Sequence, residues 1–318
     1  ETDSTGRSYR SELSEALHAR RSITFASEME DTDDDIATFS HDVVGTYSCH
    51  GVEPGMRQGE TSAKINQDRA LCVYPFNGEK AQGLFGVFDG HGRIGEQVSQ
   101  FVIENLERTM NAHATVTTDP GKALTDSFLT GDRELEKAID AGVSGTTAVA
   151  CYLRGNHIWL ANCGDSRAVG ARQKPKSTSL KAIDLTVDQK PDSPQEMKRI
   201  HQLGGHVTPA GANGSPARVW HYLRGLAMAR SIGDHHAATV GVIAEPEITE
   251  YDITDDDVAR PAPHHQRRHL RVARRRTRQG LRAAHLRLRR RRRYLRLGGI
   301  ARLVSGGGAA GGGRRAGR

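Results

Sequence analysis

The chain has 318 residues, enough for one large domain or two small ones, and 36% of its side chains are hydrophobic and 5% aromatic. Its net charge of +7 conceals two opposed parts: residues 1–257 carry 25 basic against 38 acidic side chains, whereas 258–318 carry 20 arginines and no Lys, Asp or Glu. No stretch reaches the roughly 18–20 apolar residues of a membrane-spanning helix, and no charged-then-apolar leader opens the chain. It starts at Glu1, as if its first residues had been lost or processed. Four cysteines with no CxxC or metal-type spacing argue against a disulfide framework and for a reducing compartment, cytoplasmic or nuclear.

Residues 1–42 read as a polar, acidic extension. The run Glu28-Met29-Glu30-Asp31-Thr32-Asp33-Asp34-Asp35 is not a calcium loop, because counting from Asp31 puts Ile36 at the sixth position and Asp42 at the twelfth. A solvated acidic linker is expected.

Residues 43–257 read as the folded domain. Ala70–Tyr74 and Leu84–Phe88 are apolar runs of strand length bounded by turn-forming residues. Val98, Phe101, Val102 and Leu106 share one face of a helix predicted from about Gly95 to Met110. Thr146–Leu153 and His157–Cys163 are expected to form a hairpin about Gly155-Asn156. Ser193-Pro194-Gln195-Glu196 predicts a capping box with Pro at the first helical position, and Gly204 closes that helix. Val219–Met228, interrupted at Gly225, and Ile248–Ile253 supply further extended segments. Hairpin-linked strands with helices in separate blocks predict an α+β fold with antiparallel sheets and helices outside them.

Residues 258–318 change character, with five consecutive arginines at 289–293 and only Gly and Ala from 306 to 313. Ordering a backbone costs about 1–2 kcal/mol per residue, and this composition offers no apolar periodicity to offset it, so disorder is expected.

Two carboxylates are placed at predicted strand ends: Asp68 just ahead of one, and Asp89, in Phe88-Asp89-Gly90-His91-Gly92, just after the other. Alone, an Asp-Gly pair is ordinarily a turn. If the two carboxylates converge, repulsion of roughly 4 kcal/mol at 4 Å calls for a divalent cation or a shared proton. A cysteine-phosphatase mechanism needs Cys, five residues and Arg, but Gly55, Gly78, His157 and Val169 stand six positions after Cys49, Cys72, Cys151 and Cys163. All four cysteines are therefore expected as small core residues.

Downstream, Ser144-Gly145-Thr146-Thr147-Ala148, then Asn162-Cys163-Gly164-Asp165-Ser166-Arg167, then Leu226-Ala227-Met228-Ala229-Arg230-Ser231-Ile232-Gly233-Asp234 follow in order. Together with Asp89-Gly90-His91-Gly92 these motifs resemble the metal-dependent serine/threonine phosphatases of the protein phosphatase 2C (PPM) family. The resemblance implies two stacked antiparallel sheets flanked by helices, with a pair of Mg²⁺ or Mn²⁺ ions in a cleft at one end. It implies Asp68, Asp89 and the backbone of Gly90 as metal ligands, Asp165 at a weaker third ion, and His91 as general acid, an effect worth about 10²–10⁴ in rate. Lys64 is the nearest match to the family's phosphate-holding base, although an ammonium stands where a guanidinium is common. Thr146, Arg167, Arg230 and Asp234 match framework positions. The implied partners are phosphoprotein substrates; separately, no specific nucleic acid, no membrane and a monomeric state are expected.

The sequence departs from that family after Asp257, its last acidic residue. Both later metal carboxylates of the family are therefore missing, one of them in a strand-Asp-Gly motif. Arginine codons of the CGN type read one base later encode Val, Ala, Asp, Gly or Glu, so Arg275-Arg276 could conceal that Asp-Gly in a shifted reading frame. Two functional expectations follow: a metal-dependent phosphatase crippled by loss of its C-terminal part, or an inactive phosphatase-like binding module whose arginine-rich tail holds nucleic acid non-specifically.

Overall fold

The computed structural model describes residues 64–79, 81–173, 180–254 and 257, positions 48 and 51, and the backbone of short strands elsewhere. The strands are β1 (Ile23–Thr24), β2 (Val44–Gly45), β3 (Val52–Pro54), β4 (Thr61–Ala63), β5 (Asp68–Val73), β6 (Gln82–His91), β7 (Gly145–Thr146), β8 (Ala148–Arg154), β9 (His157–Cys163) and β10 (Ser166–Gln173). They continue with β11 (Leu180–Asp184), β12 (His206–Thr208), β13 (Arg218–His221), β14 (Arg224–Leu226), β15 (Ile232–Gly233), β16 (Glu247–Asp252), β17 (Val258–Ala259), β18 (Arg267–Arg274), β19 (Arg282–Arg291) and β20 (Tyr294–Leu297). The helices are α1 (Gly95–Ala112), α2 (Pro120–Ala138), α3 (Pro194–Gln202) and α4 (His235–Ala238).

One sheet runs β1-β5-β6-β8-β9-β16, with β7 and β15 joined at the end of β6, and all its pairings except β1 with β5 are antiparallel. The period of two along each strand sorts its side chains. Leu71, Val73, Leu84, Phe88, Ala150 and Tyr152 turn to one face and pack with Val98, Val102, Leu106 and Met110 of α1 and Leu124 and Phe128 of α2. Ala70, Cys72, Phe85, Val87, Cys151 and Leu160 turn to the other face and meet Ala168 and Leu185. Ala168 belongs to β10, in a second sheet ordered β11-β10-β18-β19-β2. The molecule is thus the α+β sandwich expected, with helices on the outer face of the first sheet. A small third sheet, β12-β13-β14, packs Val207 and Val219 against Ile200 of α3.

Several local expectations are refined. β5 and β6 extend further than their apolar runs, so Asp68 opens β5 and Asp89 lies inside β6 rather than beyond it. The expected strand from Thr146 to Leu153 is split at Thr147 into β7 and β8. Helix α2 has no counterpart among the expected elements; Asp119 caps it by accepting the Lys122 N–H at 2.9 Å, and Pro120 stands at its first turn. At α3 the capping-box hydrogen bond is absent, because Glu196 turns to Arg230 and Arg199 instead.

The terminal segments also differ from expectation. β1 falls within the presumed acidic extension and pairs Ile23 with Ala70 of β5. The acidic run 28–35 and Cys49 lie outside the described residues. In the arginine-rich segment, expected to be disordered, the backbone forms β18, β19 and β20, and β18 pairs with β10 from Ser166↔Arg274 to Ala171↔His269. Backbone hydrogen bonding to an existing strand edge needs no side-chain pattern of its own, which is why composition misses it.

Candidate metal and phosphate site

The register of the β5–β6 pair places Asp68 directly opposite Asp89. Opposed residues of an antiparallel pair project from the same face, with Cα atoms about 4.5–5.5 Å apart. The alternation that sends Ala70 and Cys72, Phe85 and Val87 between the sheets sends Asp68 and Asp89 the same way. Both aspartates are buried, at the end of the sandwich where β5 begins and β6 stops.

The backbone there is fixed from several directions. The Asp89 N–H donates to Thr147 Oγ1 at 3.1 Å, and the Thr147 N–H donates to the Asp89 carbonyl at 3.1 Å. Gly90 N–H donates to the Gln67 carbonyl at 3.2 Å, which also accepts Ser99 Oγ at 2.7 Å. A Cβ on Gly90 would collide with the carbonyls of Gly95 and Gln67, so only glycine allows α1 to start this close to the strand end. Ser144 Oγ accepts the N–H groups of Arg93 and Ile94 at 3.0 and 3.3 Å and so closes the connection from His91 to α1.

His91 ends β6, and its Nε2 lies 2.6 Å from Asp234 Oδ2. Ser231 Oγ donates to the same oxygen at 2.8 Å. Asp234 is buried, holds a left-handed φ of 51°, and its N–H donates to the Ser144 carbonyl at 2.9 Å. Burial alone would lower the imidazole's affinity for a proton, but the Asp234 carboxylate outweighs it, helped by Asp89, and the His91 pKa rises to about 9. His91 Nδ1 is itself buried. Asp234, expected only as framework, is therefore the direct partner of the expected general acid.

Asp165 occupies the turn between β9 and β10, where its Oδ2 forms an ion pair with Lys190 Nζ. Lys64 is half-buried four residues before Asp68, and its N–H donates to the Gly51 carbonyl at 2.8 Å. The other framework expectations hold structural bonds: Arg167 Nε to Asp188 at 2.7 Å and Arg230 Nη2 to Glu196 at 2.7 Å. Thr146 is buried in β7, with its Oγ1 donating to the Thr147 carbonyl at 2.9 Å. Cys72, Cys151 and Cys163 are all buried; burial pushes the first two thiols up to about 12 and the third up as well.

Two buried carboxylates and a glycine backbone would together offer a hard oxygen donor set. Such a set fits one Mg²⁺ or Mn²⁺ ion that keeps several waters. Among the described residues, no three His, Cys, Asp or Glu side chains cluster into a fuller cage, and no helix is long and apolar enough to cross a membrane.

A two-sheet sandwich with opposed aspartates at one end and a histidine beside them defines an α+β domain with a candidate cation site. Residues 44–259 match the family model described as "Protein phosphatase 2C". The chain is 36% identical over 208 residues to "Probable protein phosphatase 2C 35" of Arabidopsis thaliana, matching 58% of this chain and 59% of that protein. It is 34% identical over 240 residues to "Probable protein phosphatase 2C 72" of the same plant, matching 67% and 72% of the two chains. In fold it is similar to a serine-threonine phosphatase 2C from Toxoplasma gondii, with a TM-score of 0.53, 21% identity, and coverage of 70% and 76% of the two chains. The chain belongs to the protein phosphatase 2C family, whose members are in general metal-dependent protein phosphatases. It spans 59% of the length of the first of these relatives.

Proposed function

We propose that residues 43–257 are the larger part of a serine/threonine protein phosphatase domain that uses Mg²⁺ or Mn²⁺, between an acidic extension (1–42) and an arginine-rich tail (258–318). The observation that carries this reading is the register pairing of Asp68 with Asp89, both buried and on the inter-sheet face. Asp68, Asp89 and Gly90 would hold the cation, with Asp165 available for a weaker one. When bound, a divalent cation acidifies a coordinated water and withdraws charge from phosphoryl oxygens.

Lys64 supplies a positive charge for the substrate phosphate. His91, kept protonated by Asp234, supplies the proton that a departing seryl or threonyl oxygen needs. With Nε2 turned to Asp234 and Nδ1 buried, the ring must turn away from Asp234 to deliver it, so Asp234 acts as its latch.

Residues 258–318 hold no Asp or Glu to complete the cation site, a shortage that would cripple the chain as given. Backbone placement supports the shifted-frame explanation: β18 ends at Arg274 opposite Ser166, the neighbour of Asp165. Arg275-Arg276, where the alternative frame can encode Asp-Gly, are the next two residues of the sequence. The same shortage of carboxylates favours a second reading, an inactive phosphoprotein-binding module. Expressing the chain both as given and with the alternative frame restored after the Asp257 codon separates the two. Mn²⁺-dependent hydrolysis of a phosphopeptide is expected only from the restored protein. Inactivity of both would favour the binding module, and turnover by the unrestored chain would refute the frame argument.

A further inference from the structure

Asp165 carries a cation of the protein's own. Its Oδ2 is paired with Lys190 Nζ, while its Oδ1 is buried and accepts no hydrogen bond among the described residues. The position of Lys190 is not left to its flexible stem. The preceding residue, Gln189, is buried and clamped to the β9–β10 turn: its N–H donates to the Gly164 carbonyl at 3.0 Å, and its Oε1 accepts the Gly164 N–H at 2.7 Å. Gln189 Nε2 donates to the Asn162 carbonyl at 3.1 Å, and the Gln189 carbonyl accepts the Ala229 N–H at 2.9 Å. One residue earlier, Asp188 accepts Arg167 Nε at 2.7 Å. The backbone of 188–190 is thereby fixed beside the turn that carries Asp165, and only the alkyl stem and ammonium of Lys190 remain adjustable.

We propose that Lys190 is a tethered counter-ion of Asp165, which any divalent cation using that carboxylate must first displace. This inference rests on the reading of Asp165 as a metal carboxylate. An ammonium is a compact point charge, and it repels a dication seeking the same oxygens. The Lys190 side chain is 36% exposed, so it has a route to solvent when displaced. Lys190 thus neutralises Asp165 in the metal-free protein and sets the cation concentration at which a further ion enters.

The test is a Mn²⁺ titration of the full chain, with the free aquo ion followed by its electron paramagnetic resonance signal. The parent is compared with Lys190→Met, Lys190→Gln, Lys190→Arg, Asp165→Asn, the double variant Lys190→Met/Asp165→Asn, and Asp89→Asn. Lys190→Met and Lys190→Gln are each expected to tighten one Mn²⁺ by roughly tenfold, Lys190→Arg to resemble the parent, and the double variant to lose the gain. The proposal is overturned if both uncharged variants titrate like the parent, or if their gain survives Asp165→Asn. Asp89→Asn is read separately. If it leaves the parent's titration unchanged while an Asp165-dependent gain appears, the Asp68–Asp89 reading fails and the Lys190 inference stands.

Discussion

His91 Nε2 and Asp234 Oδ2 lie 2.6 Å apart although 143 residues separate them in sequence. The pair joins the end of β6 to the turn that follows β15, and Ser231 secures the same carboxylate oxygen from the other side. Removing one member of a buried charged pair leaves the other uncompensated. Asp234→Asn is therefore expected to lower unfolding free energy by about 3 kcal/mol in chemical denaturation. A loss below about 0.5 kcal/mol would mean that the pair is not maintained in solution.

Gly145 lies against both members of that pair. A Cβ there would press on Asp234 Oδ2 and come within 3.0 Å of His91 Nε2. Gly145→Ala should destabilise the protein by about 1–3 kcal/mol through overcrowding. Asp234→Ala, which removes the obstructing carboxylate, should make the same glycine change cheaper. Additive losses in the double variant would count against direct contact.

Asp89→Asn removes one charge from the proposed cation ligands. In the frame-restored protein, Mn²⁺-dependent hydrolysis of a phosphothreonine peptide should fall by at least about 10²-fold. Release of inorganic phosphate at near-parent rates from this variant would remove Asp89 from the site.

Burial keeps Cys72, Cys151 and Cys163 protonated, with the first two thiols at about 12. Iodoacetamide attacks thiolates, so it should leave native activity in the frame-restored protein intact, and peptide mapping should find these three residues unmodified until the chain is denatured. Inactivation in step with alkylation of one of them would point to a thiolate mechanism.

Glu196 ties α3 to Arg230 and Arg199. Burial raises its pKa, but the bonds to Arg230 and Arg199 prevail, and its carboxyl lies below the ordinary 4.5. The folded state therefore binds this proton less readily than the unfolded chain. Its stabilising contribution is present above pH 4.5 and is lost as pH falls through the depressed value. Glu196→Gln should destabilise the protein by about 3 kcal/mol at pH 7 and flatten the acid limb of stability against pH. An acid limb identical to the parent's would show that other carboxylates govern it.

The strands and hairpin of the first sheet were legible in the sequence because alternation and turn chemistry are local: Leu71 and Val73 take one face, Ala70 and Cys72 the other, whatever packs upon them. Asp68 and Asp89 were legible as candidates because both flank apolar runs, and ordered motifs from Ser144 to Asp234 identified the family. Helix α2 was obscured by Gly121 and Gly131, which interrupt an apolar stripe that only contact with the sheet and α1 completes.

The partners of charged groups could not be read in advance. Glu196 was expected to cap its own helix, yet Arg230 and Arg199 hold it. Lys190 carried no signal until the Gln189 clamp set it beside Asp165. The same holds for Asp234 as the partner of His91. Local patterning determines which face a residue occupies. Which charge it meets there depends on how distant strands are brought into register, and only the tertiary structure decides that.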